Sequence, residues 1–96
     1  MLKILVFEFI TGGGFNKEVL PDSLAQEGGL MLEGILNGFA QLKDIHLTVM
    51  LDSRFSDLIT ADGVEFFIIT SDHNVSDEFS CLVKQSDAVW PVAPEF

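Results

Sequence analysis

The run Lys3–Phe9, Lys-Ile-Leu-Val-Phe-Glu-Phe, constrains the fold more than any other feature of this chain. It is short, β-branched and aromatic, and almost wholly apolar. It lacks the in–out alternation of a strand with one wet face, so it reads as a strand buried on both faces, as in a parallel sheet. Parallel neighbours need crossover connections, and the sequence supplies them. The stretch 11–23 holds three glycines, Asn16, Pro21, Asp22 and Ser23 and reads as a loop. Beyond it, Leu24, Met31, Leu32, Ile35, Leu36, Phe39 and Leu42 recur at helical spacing, predicting a helix over 24–42. Ser23 or Asp22 is its expected N-cap, with Glu27 near the capping-box position of Ser23. Gly28, Gly29, Gly34 and Gly38 each cost a helix about 1 kcal/mol relative to Ala. They are tolerable if the helix backbone packs close against the sheet.

The rest of the chain continues the alternation. His46–Leu51 and Val64–Thr70 read as strands, separated by a loop with room for one helical turn. Ser76 is the expected cap of a short helix over 77–86, with Phe79, Leu82 and Val83 turned inward. Asp87–Ala93 reads as a fourth strand, and Pro91 within it favours a sheet edge. The order β-α-β-β-α-β predicts an α/β fold with right-handed crossovers, helices on the sheet faces and a mostly parallel sheet of about four strands. The 96 residues suffice for one domain, taken as 1–96. No helix is foreseen after the last strand, so the expectation is an N-terminal piece of a longer protein.

Composition narrows the partners. Hydrophobic residues make up 48% of the chain, and nine Phe stand beside no Tyr, which favours a packed core over a wet binding face. A net charge of −10 with five Lys and Arg leaves no basic stripe for nucleic acid and no patch for an anionic membrane. Cys81 is the sole cysteine, so no internal disulfide can form and a reducing compartment is expected. Glu8 interrupts the opening apolar run, no small-residue cleavage site follows it, and no run is long enough to span a bilayer. A cytoplasmic protein is the expectation.

The chemical motifs centre on Gly12, Gly13 and Gly14. A dinucleotide fingerprint needs spaced glycines opening a helix, and a Walker A loop needs a following Gly-Lys-Ser/Thr; both are missing here. Two readings stay open: a flexible turn whose glycines permit positive φ, or a backbone nest at the carboxyl end of the first strand, where open α/β sheets bind ligands. Glu8 and Asp52 evoke a phospho-acceptor domain, but no lysine is suitably placed. His46 and His73 lack metal-ligand spacing and read as surface or loop residues. Cys81, beside Phe79 and Leu82, reads as a buried, inert thiol. Glu18 and Glu27 flank the loop–helix junction, where carboxylates favour the helix dipole or bind a substrate ammonium group. Ser71, Asp72 and His73 form either a capped turn or part of a ligand edge. These residues support a ligand-binding α/β domain without a complete catalytic set.

Four segments in order, "KILVFEFITGGG", "LPDSLAQEGGLMLEGILNGFAQL", "VMLDSR" and "SDAVWPVAPE", resemble the N-terminal domain of ATP-grasp ligases, most closely the tyramine–glutamate ligase-like group. The most telling pieces are Ser23-Leu24 through Glu27-Gly28, Met31-Leu32, Leu51-Asp52-Ser53-Arg54 and Ala93-Pro94-Glu95. The resemblance implies a three-layer, Rossmann-like pre-ATP-grasp sheet in an enzyme that joins a carboxylate to an amine through an acyl-phosphate. It implies ATP and Mg²⁺ held mainly by later lobes, with no cofactor on this domain and no activity from it alone. It places Gly12, Gly13 and Gly14 along the acceptor-substrate cleft, with Glu18, Ser23 and Glu27 as polar contacts and no catalytic or metal-binding residue. Glutamate-type substrates and one-carbon metabolism are its further implications. The implied partners are a small carboxylate or amine and the remaining lobes, and the domain alone is expected to dimerise over apolar surface. The alternative is a stand-alone α/β module that binds a metabolite or protein without catalysis.

Overall fold

A computed structural model describes residues 1–92. Six elements follow one another: β1 (Leu2–Glu8), α1 (Asp22–Phe39), β2 (Ile45–Asp52), β3 (Val64–Ile69), α2 (Val75–Lys84) and β4 (Ala88–Val92). Short helical turns over Ile10–Gly14 and Ser53–Phe55 follow β1 and β2. The strands form one sheet in the order β3-β2-β1-β4, every neighbouring pair parallel. The α/β class expected from the alternation is the architecture observed, and Pro91 does lie on an edge strand.

The sheet is covered on both faces. Ile4, Val6, Leu47, Val49 and Leu51 pack with Leu32 and Leu36 of α1 and with Phe55 and Ile59 of the β2–β3 connection. Leu5, Met50 and Ile69 pack on the other face with Leu82 of α2, flanked by Val75, Phe79 and Val83. Adjacent residues of β1 therefore serve opposite layers, which is why that strand shows no polar alternation. Each fully buried Leu or Ile contributes about 1.5–3 kcal/mol, so two thin layers can hold a domain of this size. The two edges are less covered. Trp90 of β4 is 51% exposed and meets Phe39, at the end of α1, in a T-shaped pair.

Several local expectations differ from the structure. Helix α1 begins at Asp22 with Pro21 at the N-cap position, so neither Ser23 nor Asp22 caps it and no capping box forms. Extended Pro21 (φ −61°, ψ 138°) sets the entry, and its carbonyl accepts from the Ala25 amide. The helix ends at Phe39, leaving Leu42 in an exposed turn. Of the four glycines in α1, only Gly28 packs closely; a Cβ at Gly29, Gly34 or Gly38 would meet nothing within 4 Å. Asn74, not Ser76, caps α2, its side chain accepting from the Asp77 amide. Cys81 is exposed rather than buried, because Leu82 takes the inward position beside it. Ala93, the expected last residue of the fourth strand, lies outside the described residues. Among the described residues, no helix is long and apolar enough to cross a membrane.

Candidate functional site at the carboxyl end of the sheet

In open parallel sheets the ligand crevice lies beyond the carboxyl ends of strands, where the strand order reverses. Here that point falls between β1 and β4, because the chain leaves β1 toward β2 and returns to β1's other side through β4. The first segment beyond β1 is the glycine turn, joined to β4 by the Phe9 amide donating to the Val92 carbonyl at 3.0 Å.

The glycine turn is packed, and its chemistry is internal. Ile10, Thr11, Gly12 and Gly13 are all buried. Glu8, 1% exposed, turns its carboxylate under the turn. It accepts from the Ile10 amide at 2.9 Å, the Thr11 amide at 2.8 Å and the Thr11 hydroxyl at 2.9 Å. A buried carboxylate is costly unless hydrogen-bonded, and these three donors satisfy it. Glu8 thus takes up the Ile10 and Thr11 amides that lead into the glycines. The turn does use the positive φ that its glycines permit. Gly13 has φ +103°, a conformation that side chains rarely take, and a Cβ there would lie 2.7 Å from Ile69 Cγ2. At Gly12 the same atom would meet the Phe7 ring at 2.7 Å, and at Gly14 the Phe9 ring at 2.6 Å.

The following loop is held from two sides. Asn16 donates through its side-chain amide to the carbonyls of Thr70 and His73, both at 2.9 Å. His73 Nδ1 in turn accepts from the Thr70 amide at 2.8 Å, making residues 70–73 a closed turn. Arg54 binds both oxygens of Asp52, Nε to Oδ1 at 3.0 Å and Nη2 to Oδ2 at 2.7 Å. The same guanidinium reaches Glu18 O from Nη1 at 2.9 Å and Phe15 O from Nη2 at 2.8 Å. The hydrogen bond to Asp52 holds the Arg54 guanidinium above its ordinary pKa; burial opposes this, and the Asp52 charge adds to it.

The structure brings some of the sequence-derived site residues together and separates others. Gly12, Gly13 and Gly14 build the turn, but Gly12 and Gly13 are inside it rather than lining a surface. Glu18 stands exposed on the clamped loop. Ser23 and Glu27 are exposed, one turn apart on α1, and their side chains make no hydrogen bond among the described residues. Gly28, next to Glu27, faces inward against Glu8; a Cβ there would lie 2.7 Å from Glu8 Oε1. Glu8, Asn16 and the Asp52–Arg54 pair were not read as site residues from the sequence. The one legible signal was an acid ending each of two apolar strands.

Elsewhere, an open groove of about 610 Å³ lies at the opposite, amino end of the sheet, between the end of α1 and the residues preceding β3. Leu36, Phe39 and Leu58 line it together with Glu33 and Asp62, with no Lys, Arg or His among its lining residues. Its position, away from the carboxyl ends, counts against it as the ligand crevice. His46 on β2 pairs with Glu65 on β3 at 2.9 Å, and no group of three or more His, Cys, Asp or Glu among the described residues could hold a metal ion.

No curated protein and no solved structure matches the chain. The family model of the pre ATP-grasp 3 domain matches residues 45–96. The match runs from β2 onward, includes Asp52 and Arg54, and leaves the glycine turn and α1 outside it. Spanning more than half the chain, and joined to a four-stranded parallel sheet with helices on both faces, it establishes that this chain belongs to the pre-ATP-grasp 3 domain family.

Proposed function

We propose that this chain is the N-terminal, acceptor-substrate-side domain of an ATP-dependent ligase that joins a carboxylate to an amine through an acyl-phosphate. The observation that carries the reading is the built-up loop over the carboxyl ends of β2 and β3, on the ligand side of the sheet. Its backbone is locked by Glu8, Asn16 and Arg54, while the Lys17 and Glu18 side chains stand free at the surface. A rigid loop with exposed polar side chains suits the positioning of a small substrate, and positioning supplies several kcal/mol of a bimolecular barrier. The resemblance to the tyramine–glutamate ligase-like group supports a glutamate-type substrate for one side of the bond.

The described residues do not fit ATP and Mg²⁺. The Ile10 and Thr11 amides already serve Glu8, Arg54 is neutralised by Asp52, and no cluster of metal-binding side chains is present among these residues. In this reading nucleotide and metal are held by ATP-grasp lobes joined to this domain, and the domain by itself is expected to have no ligase activity. The test is ADP release by the protein in which this domain is joined to such lobes. Release that requires both an amine and a carboxylate is expected; ATP turnover by the 96-residue chain alone would overturn the reading.

A further inference from the structure

We propose that Arg54 is the positioning residue of the substrate-side loop, holding its backbone so that the Glu18 carboxylate meets an ammonium group of the acceptor; the acceptor part of this inference rests on the ligase reading above. The guanidinium has five N–H donors in a rigid fork. Two are spent on Asp52, which is 2% exposed at the end of a central strand. Two more reach the carbonyls of Phe15 and Glu18. Arg54 thus ties a surface loop to the interior of the sheet through a charge-balanced pair. Lys17, Glu18 and Val19 are all exposed, Val19 90% so, between Phe15, which packs on Phe9, and Leu20, which packs against the core.

What the tie fixes is the backbone of Glu18. Its carbonyl is held by Arg54 and its amide donates to Phe15 O at 3.0 Å. Its carboxylate makes no hydrogen bond or ion pair among the described residues. An ordered backbone carrying an unengaged carboxylate, tied to the carboxyl end of β2, is suited to a cationic group. The net charge of −10 draws cations toward it as well. The acceptor it fits is therefore a primary amine bound in its ammonium form.

Arg54→Lys separates positioning from folding, because lysine keeps a positive charge beside Asp52 but lacks the fork that spans two carbonyls and a carboxylate. Hydrogen exchange on the 96-residue chain should show the Glu18 amide exchanging about tenfold faster or more in Arg54→Lys, with β1 and β2 amides and the thermal midpoint little changed. Unchanged exchange at Glu18, or a rise of equal size across β1 and β2, would overturn the positioning role. In the complete ligase, Arg54→Lys and Glu18→Gln should each raise KM for the amine about tenfold and leave KM for ATP unchanged. Faster loop exchange with an unaltered amine KM would overturn the acceptor contact, even with amine-dependent ADP release intact. Absence of any amine-dependent ADP release from the wild-type protein would instead remove the ligase reading, leaving the role of Arg54 to the exchange result.

Discussion

The same substitution, glycine to alanine, should change sign along α1. In a helix interior Ala is favoured over Gly by about 1 kcal/mol, because it loses less backbone entropy on ordering. At Gly34 and Gly38 a Cβ would meet nothing within 4 Å, so each replacement should realise most of that gain. At Gly28 the Cβ would stand 2.7 Å from Glu8 Oε1 and 2.9 Å from Ile10 Cβ. Neither neighbour can move freely. The Glu8 oxygen is fixed by the Thr11 amide and hydroxyl, and Ile10 is fully buried at a branched carbon. Forcing a methyl into a packed site costs about 1–3 kcal/mol, and displacing the carboxylate would add about 1–3 kcal/mol for a buried group losing partners. Subtracting the helix gain leaves Gly28→Ala destabilised by about 1–5 kcal/mol. For a domain of this size, 1 kcal/mol moves the thermal midpoint by about 4–8 °C. Circular dichroism melts and urea titrations should therefore place Gly34→Ala and Gly38→Ala above the wild type and Gly28→Ala clearly below it. A stabilised Gly28→Ala would refute the contact between α1 and the buried Glu8 carboxylate.

Three other substitutions test the glycine turn and the surface. Gly13→Ala, strained at φ +103° and facing Ile69, should lose about 1–3 kcal/mol by urea titration; a neutral result would mean the turn relaxes easily. Glu8→Gln places an amide NH₂ where three donors already converge, and about 1–3 kcal/mol of stability should go with the lost acceptor. Cys81→Ser should stay within about 0.5 kcal/mol of the wild type, and the native thiol should react with a maleimide without unfolding; a protected thiol would show that residue 81 is covered.

The elements legible in the sequence were those governed by apolar periodicity. β1 and β2 are central and buried on both faces, so their continuous apolar runs announced a parallel sheet, and Pro91 announced its edge. The ends of elements were less legible. Pro21 overrode two good capping residues by fixing the approach to α1, and Asn74 did the same to Ser76 two residues earlier in the chain. Cys81 was misplaced because a one-residue shift on a helix rotates a side chain by about 100°, enough to carry it from core to solvent. The glycine turn was located correctly but its content was hidden. Glu8 sits in an apolar strand, and nothing local reveals that its side chain folds forward onto the next two amides. The Arg54 clamp joins residues 36 and 39 positions apart, a separation at which no spacing rule operates. Within a cluster of exposed polar residues, tertiary hydrogen bonds alone distinguish Glu18 on its clamped loop from Ser23 and Glu27 on open helix.

The central claim is that substrates meet this domain at the carboxyl ends of its strands. Hydrogen exchange on a protein in which this domain is joined to ATP-grasp lobes, with and without a saturating amine of the proposed acceptor class, tests it most directly. Slower exchange concentrated over residues 10–20 and 53–55 is the expected result; protection confined to the amino-end groove, over residues 58–64, with the glycine turn and its loop unaffected, would contradict it.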